Sequence, residues 1–207
     1  METKDYLKDI QDIKNMMSQS TQFISLSGLS GVLAGIYALI GAYVAHLTIQ
    51  MKADYNYDNA LAATEKDVVN KLLCIAASVI VLSVLTGIIF SAAKSKKNGE
   101  TLWNATSKRL LVNFSIPLIS GGLFALQLLS LKHYGLLAPV MLLFYGMACV
   151  NASKHTLRDV RYLGITLIIL GLVSSYFSGY GLQFWALGFG VCHILYGTIM
   201  YFKYDRN

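Results

Sequence analysis

The sequence predicts an all-α, polytopic membrane protein: a bundle of six transmembrane helices preceded by an N-terminal amphipathic helix. Of its 207 residues, 55% are hydrophobic and only 14% are charged, whereas a soluble domain has about 25% charged residues. The charged residues are missing from the interiors of several long apolar runs. An apolar run of about 18 residues or more crosses the ~30 Å hydrocarbon core as a helix, which satisfies its own backbone hydrogen bonds in lipid.

The first domain, residues 1–22, is predicted to be a cytoplasmic amphipathic helix. Its apolar residues Tyr6, Ile10, Ile13 and Met17 recur at helical spacing. Acidic and basic side chains nearly balance in this segment, whereas helices that lie on a membrane surface are usually rich in Lys and Arg. We therefore expect it to pack on protein, either its own bundle or a cytoplasmic partner.

The second domain, residues 23–207, contains the six predicted spans. They cover residues 23–48, 70–93, 110–131, 135–152, 161–178 and 183–202. Most of the 17 Lys and Arg residues fall on one side of these spans, and the positive-inside rule places that side in the cytoplasm. We expect a plasma (inner) membrane protein with both termini cytoplasmic. The basic residues on that side are Lys4, Lys8, Lys14, Lys94, Lys96, Lys97, Lys108, Arg109, Lys154, Arg158, Arg161, Lys203 and Arg206.

Small residues recur at every fourth position of span one. Ser27, Gly31 and Gly35 form a ridge along which another helix backbone can approach closely. The ridge has two interpretations: helix packing within one subunit, or the seam of a homodimer. A six-helix bundle has many internal seams to fill, which favours packing within one subunit.

Polar groups within the spans are few. No Asp, Glu, Lys or Arg lies at mid-membrane, which argues against a carboxylate relay of the kind found in ion-coupled transporters. The candidate groups either form hydrogen bonds between helices or line a polar cavity. They are His193, Ser30, Asn113, Gln127, Tyr145 and Tyr196.

No cofactor or metal is expected. A haem held by two histidines needs ligands at one depth, and His46 lies about 16 Å from the level of His193. Only His193 and its copy across a dimer axis could provide two haem ligands at one depth. A histidine within a span more often forms a hydrogen bond to a neighbouring helix. Cysteine pairs with metal-binding spacing are also absent from the sequence.

Two stretches carry resemblances. Residues 28–32 (GLSGV) and 37–41 (YALIG) resemble the nucleophile segment of rhomboid intramembrane proteases, which implies Ser30 as nucleophile and His193 as general base. Rhomboids, however, place that serine on the fourth helix of their core, and their oxyanion-stabilising His and Asn have no counterpart here. The segments SLSGLSGVLAGIYALIGAYVAH and GFGVCHILYGTIMYFKY resemble a family of small six-helix bacterial membrane proteins, which implies the fold and no activity.

The sequence therefore favours a non-enzymatic sensor, scaffold or binding module that contacts a partner through residues 1–20 and the basic segment from Lys94 to Arg109. The alternative is a facilitator or channel for a small neutral solute, and the third hypothesis is an intramembrane serine hydrolase. No base-stacking or phosphate-cradling motif accompanies the positive net charge, so nucleic acid is not an expected partner.

Overall fold

The computed structural model describes residues 26–53, 61–97, 99, 103–177 and 179–206. The predicted amphipathic helix over residues 1–22 lies outside this part of the chain. The described residues are helical and contain no strand. The helices are α1 Gly28–Ala53, α2 Leu61–Lys97, α3 Ala105–Ser130, α4 Leu137–Ala152, α5 Asp159–Tyr176 and the composite α6 Gly181–Asp205.

All six helices are long and apolar enough to cross a bilayer, which confirms the all-α class and the six candidate spans. The largest difference from the prediction is α2, which begins at residue 61 rather than 70 and has 37 residues. At about 1.5 Å per residue it is about 55 Å long and exceeds the hydrocarbon thickness of about 30 Å. Hydropathy detects only the apolar part of a helix, so its polar first turns were missed.

Glycines bring two pairs of helices into backbone contact. In the α4/α5 pair, a Cβ added to Gly146 would lie 2.7 Å from the carbonyl oxygen of Gly164, and the reverse distance is also 2.7 Å. In the α1/α6 pair, a Cβ on Gly35 would lie 2.6 Å from the carbonyl oxygen of Gly190. A side chain at any of these positions would force the helices apart, because non-bonded atoms in a packed interior do not approach closer than about 3 Å.

The buried core lies among the last three helices. Leu142, Leu163, Leu167 and Cys192 form one cluster between α4, α5 and α6. A second cluster near the other end of the same helices contains Cys149, Leu157, Val160 and Met200.

Helices α2 and α3 are peripheral. Helix α2 packs on α1, and α3 packs on α4. None of the apolar window of α2 and 6% of that of α3 is buried, and side chains such as Ile80, Ile89 and Leu123 are exposed. Apolar exposure of this extent is rare in soluble monomers and suits a surface that faces lipid.

Candidate functional site

Helix α6 changes geometry at its centre. Its first segment, Gly181–Trp185, is α-helical, Ala186–Cys192 is π-helical, and α-helical geometry resumes at His193–Met200. Short π-helical turns are rare and occur frequently at functional sites. The widened turn ends directly before the histidine that the sequence singles out.

Both ring nitrogens of His193 are engaged. The Nδ1 atom lies 3.0 Å from the carbonyl oxygen of Gly188, and Nε2 lies 3.0 Å from the hydroxyl of Tyr145. A carbonyl oxygen only accepts, so Nδ1 carries the proton, and in the neutral ring Nε2 accepts from the Tyr145 hydroxyl. A directed chain of hydrogen bonds thus runs from α4 through the ring of His193 to the backbone of the π-helical turn.

Aromatic rings enclose this chain. The ring of Tyr145 makes edge contacts with Phe114 at 5.7 Å and with Phe189 at 5.1 Å between centroids. Phe189 also stacks on His193 at 6.0 Å, and His193 is only 8% exposed. Hydrogen bonds in such apolar surroundings are stronger than in water, and breaking one leaves a costly unpaired group.

Other polar side chains of the spans link neighbouring helices in separate pairs. The hydroxyl of Tyr196 lies 3.1 Å from that of Thr166, which joins α6 to α5. Asn151 donates from Nδ2 to the carbonyl oxygen of Asn113 at 2.8 Å and joins α4 to α3, while Gln127 is exposed on α3. The hydroxyls of Tyr145 and Tyr196 thus bond to different helices, α6 and α5.

Ser30 and His193 each form their side-chain hydrogen bonds with other residues rather than with each other. The Ser30 hydroxyl donates to the carbonyl oxygen of Ser27 at 2.7 Å, and the imidazole is held by Tyr145 and Gly188. Ser30 is also buried, with 7% exposure. Within the described ranges, no cluster of three or more His, Cys, Asp or Glu side chains could hold a metal ion.

An ion pair at one end of the bundle, which we call the Asp205 junction, was missed by the sequence analysis. The carboxylate of Asp205 accepts from the Ser27 hydroxyl at 3.0 Å, the Gly28 N–H at 2.8 Å and the Lys94 ammonium. Lys94 also donates to the carbonyl oxygen of Leu26 at 3.1 Å. A carboxylate at a helix N-terminus satisfies free N–H groups and is favoured by the helix dipole. The junction therefore ties the start of α1 to the ends of α2 and α6.

A second ion pair lies at the same end. Lys203 of α6 donates to both carboxylate oxygens of Asp159, the first residue of α5, at 2.9 Å and 3.2 Å. The available signal in the sequence was the position of these charges near span ends. Comparison with protein-family models, with curated proteins and with solved structures finds no match to this chain.

Proposed function

We propose that this chain is a multi-pass protein of the plasma (inner) membrane, with both termini in the cytoplasm, that acts as a non-enzymatic sensor, scaffold or binding module. The six long apolar helices and the uneven distribution of Lys and Arg support this topology. Its partner would be a cytoplasmic protein that contacts residues 1–20 and the basic segment from Lys94 to Arg109.

The Asp205 junction is the observation that carries this proposal. Leu26 is the point where the chain passes from its N-terminal segment into α1, and Lys94 is where the basic segment begins. Lys94 bonds both the Leu26 carbonyl oxygen and Asp205, so the first residue of the basic segment is tied to the chain six positions after residues 1–20. A partner that shifts either segment would act on the ends of α1, α2 and α6 together.

The polar groups within the spans favour a binding role over an enzymatic one. The Ser30 hydroxyl is used within its own helix, and His193 joins two helices through Tyr145 and Gly188. These bonds join helices of the bundle, and Nε2 of His193 accepts from Tyr145 rather than from Ser30.

Site-specific photo-cross-linking in native membranes tests the proposal. A photoreactive residue replaces Lys97, which is exposed near the Asp205 junction, or Lys71, which is exposed toward the opposite end of α2. We expect a protein adduct from position 97 that disappears when residues 1–20 are deleted, and no such adduct from position 71. The same adduct from both positions, or one that persists after the deletion, would contradict the proposal.

A further inference from the structure

We infer that the end of the bundle that carries the Asp205 junction also forms a binding surface for anionic phospholipid headgroups. This inference rests on the membrane insertion proposed above, and its surface shares only Lys108 and Arg109 with the basic segment proposed to contact a protein partner. The surface, which we call the basic rim, consists of five exposed cations at the ends of α3, α4 and α5. They are Lys108, Arg109, Lys154, Arg158 and Arg161.

The positive charge of the basic rim is not compensated within the described residues. The two described carboxylates at this end are already paired, Asp159 with Lys203 and Asp205 with Lys94. No ion pair joins any of the five rim cations to a carboxylate in the part of the chain that the structure describes. Among the described residues, the rim therefore presents a local excess of positive charge that an external anion can neutralise.

Helix packing brings the cations at the start of α3 toward Lys154. Helix α3 contacts the turn Ser153–His155 between α4 and α5, which brings the start of α3 close to Lys154. The bond from Asn151 to the carbonyl oxygen of Asn113 joins the same two helices a little further into the bundle. Each rim cation lies within about two turns of a helix end and so at the expected depth of lipid phosphates.

An aromatic residue marks that depth. Trp103 precedes α3 and is 64% exposed, and Lys108 Nζ lies 5.7 Å from the centroid of its ring. Trp side chains concentrate at the headgroup level of membranes. Because lipid headgroups already occupy this level, an anionic phospholipid is the ligand best matched to the rim. Clusters of four to eight Lys and Arg residues beside membrane helices bind such lipids.

Quenching of Trp103 by brominated lipids tests the inference. A Trp185→Phe background leaves Trp103 as the sole tryptophan, since the chain has two. The protein is reconstituted into phosphatidylcholine bilayers that contain brominated phosphatidylcholine or brominated phosphatidylglycerol. We expect phosphatidylglycerol to bind beside Trp103 at least about threefold more strongly, since each cation near the surface contributes up to roughly fivefold in affinity.

Variants and competition separate the outcomes. In the double variant Arg109→Gln with Lys154→Gln, the ratio of phosphatidylglycerol to phosphatidylcholine binding should fall close to one. The control variant Lys66→Gln with Lys71→Gln, toward the far end of α2, should preserve the parent ratio. Equal binding of the two lipids by the parent protein, or a preference that survives the rim substitutions, would overturn the inference. Loss of the preference in millimolar inorganic phosphate would also overturn it, because the rim would then bind a soluble anion. Absence of any quenching by brominated phosphatidylcholine would instead contradict membrane insertion and with it the proposed function.

Discussion

The hydroxyl of Tyr145 lies 3.0 Å from Nε2 of His193 and connects α4 to the π-helical turn of α6. Because the other ring nitrogen donates to Gly188, a single imidazole joins the geometry of α6 to the position of α4. The ring thereby fixes a turn whose geometry leaves the regular α-helical pattern. The contact is consequently a structural link between helices, and its removal should lower the free energy of unfolding.

Tyr145→Phe should destabilise the bundle by about 1 kcal/mol, measured by reversible unfolding in detergent or lipid. Hydrogen bonds between membrane helices average about 0.6 kcal/mol, but an acceptor left buried and unpaired costs about 1–3 kcal/mol. Tyr176→Phe is the matched control, because Tyr176 is 86% exposed, and should leave stability within about 0.5 kcal/mol of the parent. Equal effects of the two substitutions would show that the bond to His193 contributes nothing.

Asp205→Asn should destabilise the end of the bundle by about 1–3 kcal/mol in the same assay. The substitution removes the charge opposite Lys94, whose side chain is only 13% exposed, and uncompensated buried charge is costly. Asp205→Asn combined with Lys94→Gln should cost less than the two single changes added together, because the pair is then removed as a unit. Additive effects would show that the two residues act independently. Lys96→Gln, an exposed neighbour, serves as the control.

Much of the fold was accessible from the sequence because hydropathy is a local property. Uncharged runs predict where helices cross the membrane. Ser27, Gly31 and Gly35 predict that span one packs closely against another helix. The partner of that ridge was not predictable: a Cβ on Gly35 would meet the carbonyl oxygen of Gly190, 155 positions further along the chain. Which helix meets which depends on the arrangement of the whole bundle, and the small-residue pattern contains no information about it.

The polar contacts were likewise predictable from the sequence only in part. His193 was expected to bond a neighbouring helix, but its partners Tyr145 and Gly188 depend on the π-helical turn, which has no clear sequence signature. Asp205 was overlooked because it lies beyond the last apolar run, and its bonds to Gly28 and Lys94 join residues far apart in sequence. Long-range charge pairing follows from the three-dimensional position of helix ends, which spacing along the chain does not reveal.

Gly146→Ala should destabilise the protein by about 1–3 kcal/mol, whereas Gly122→Ala should be neutral or stabilising. A Cβ at Gly146 would lie 2.7 Å from the carbonyl oxygen of Gly164, but one at Gly122 would meet nothing within 4 Å. Overpacking typically costs 1–3 kcal/mol, while Ala in a free helical position gains about 0.5–1 kcal/mol over Gly. Similar stabilities of the two variants would contradict the close α4/α5 contact.

Labelling of single cysteines tests the orientation of α2. In a background with Cys74, Cys149 and Cys192 replaced by Ala, Lys71→Cys and Lys96→Cys each receive a membrane-impermeant maleimide. The two positions are about 37 Å apart along the helix, which exceeds the ~30 Å hydrocarbon core, and both are exposed.

We expect Lys71→Cys to react in intact cells and Lys96→Cys to react only after permeabilisation, because Lys96 belongs to the side richer in Lys and Arg. The reverse pattern would place the basic end outside the cell, against the proposed cytoplasmic partner. Reaction of both positions in intact cells would show that α2 does not span the membrane, and the six-span topology would then be wrong. Cysteine at Gln127, exposed on α3 near the end opposite Lys108, should follow the pattern of Lys71 if α3 crosses the membrane in the opposite direction to α2.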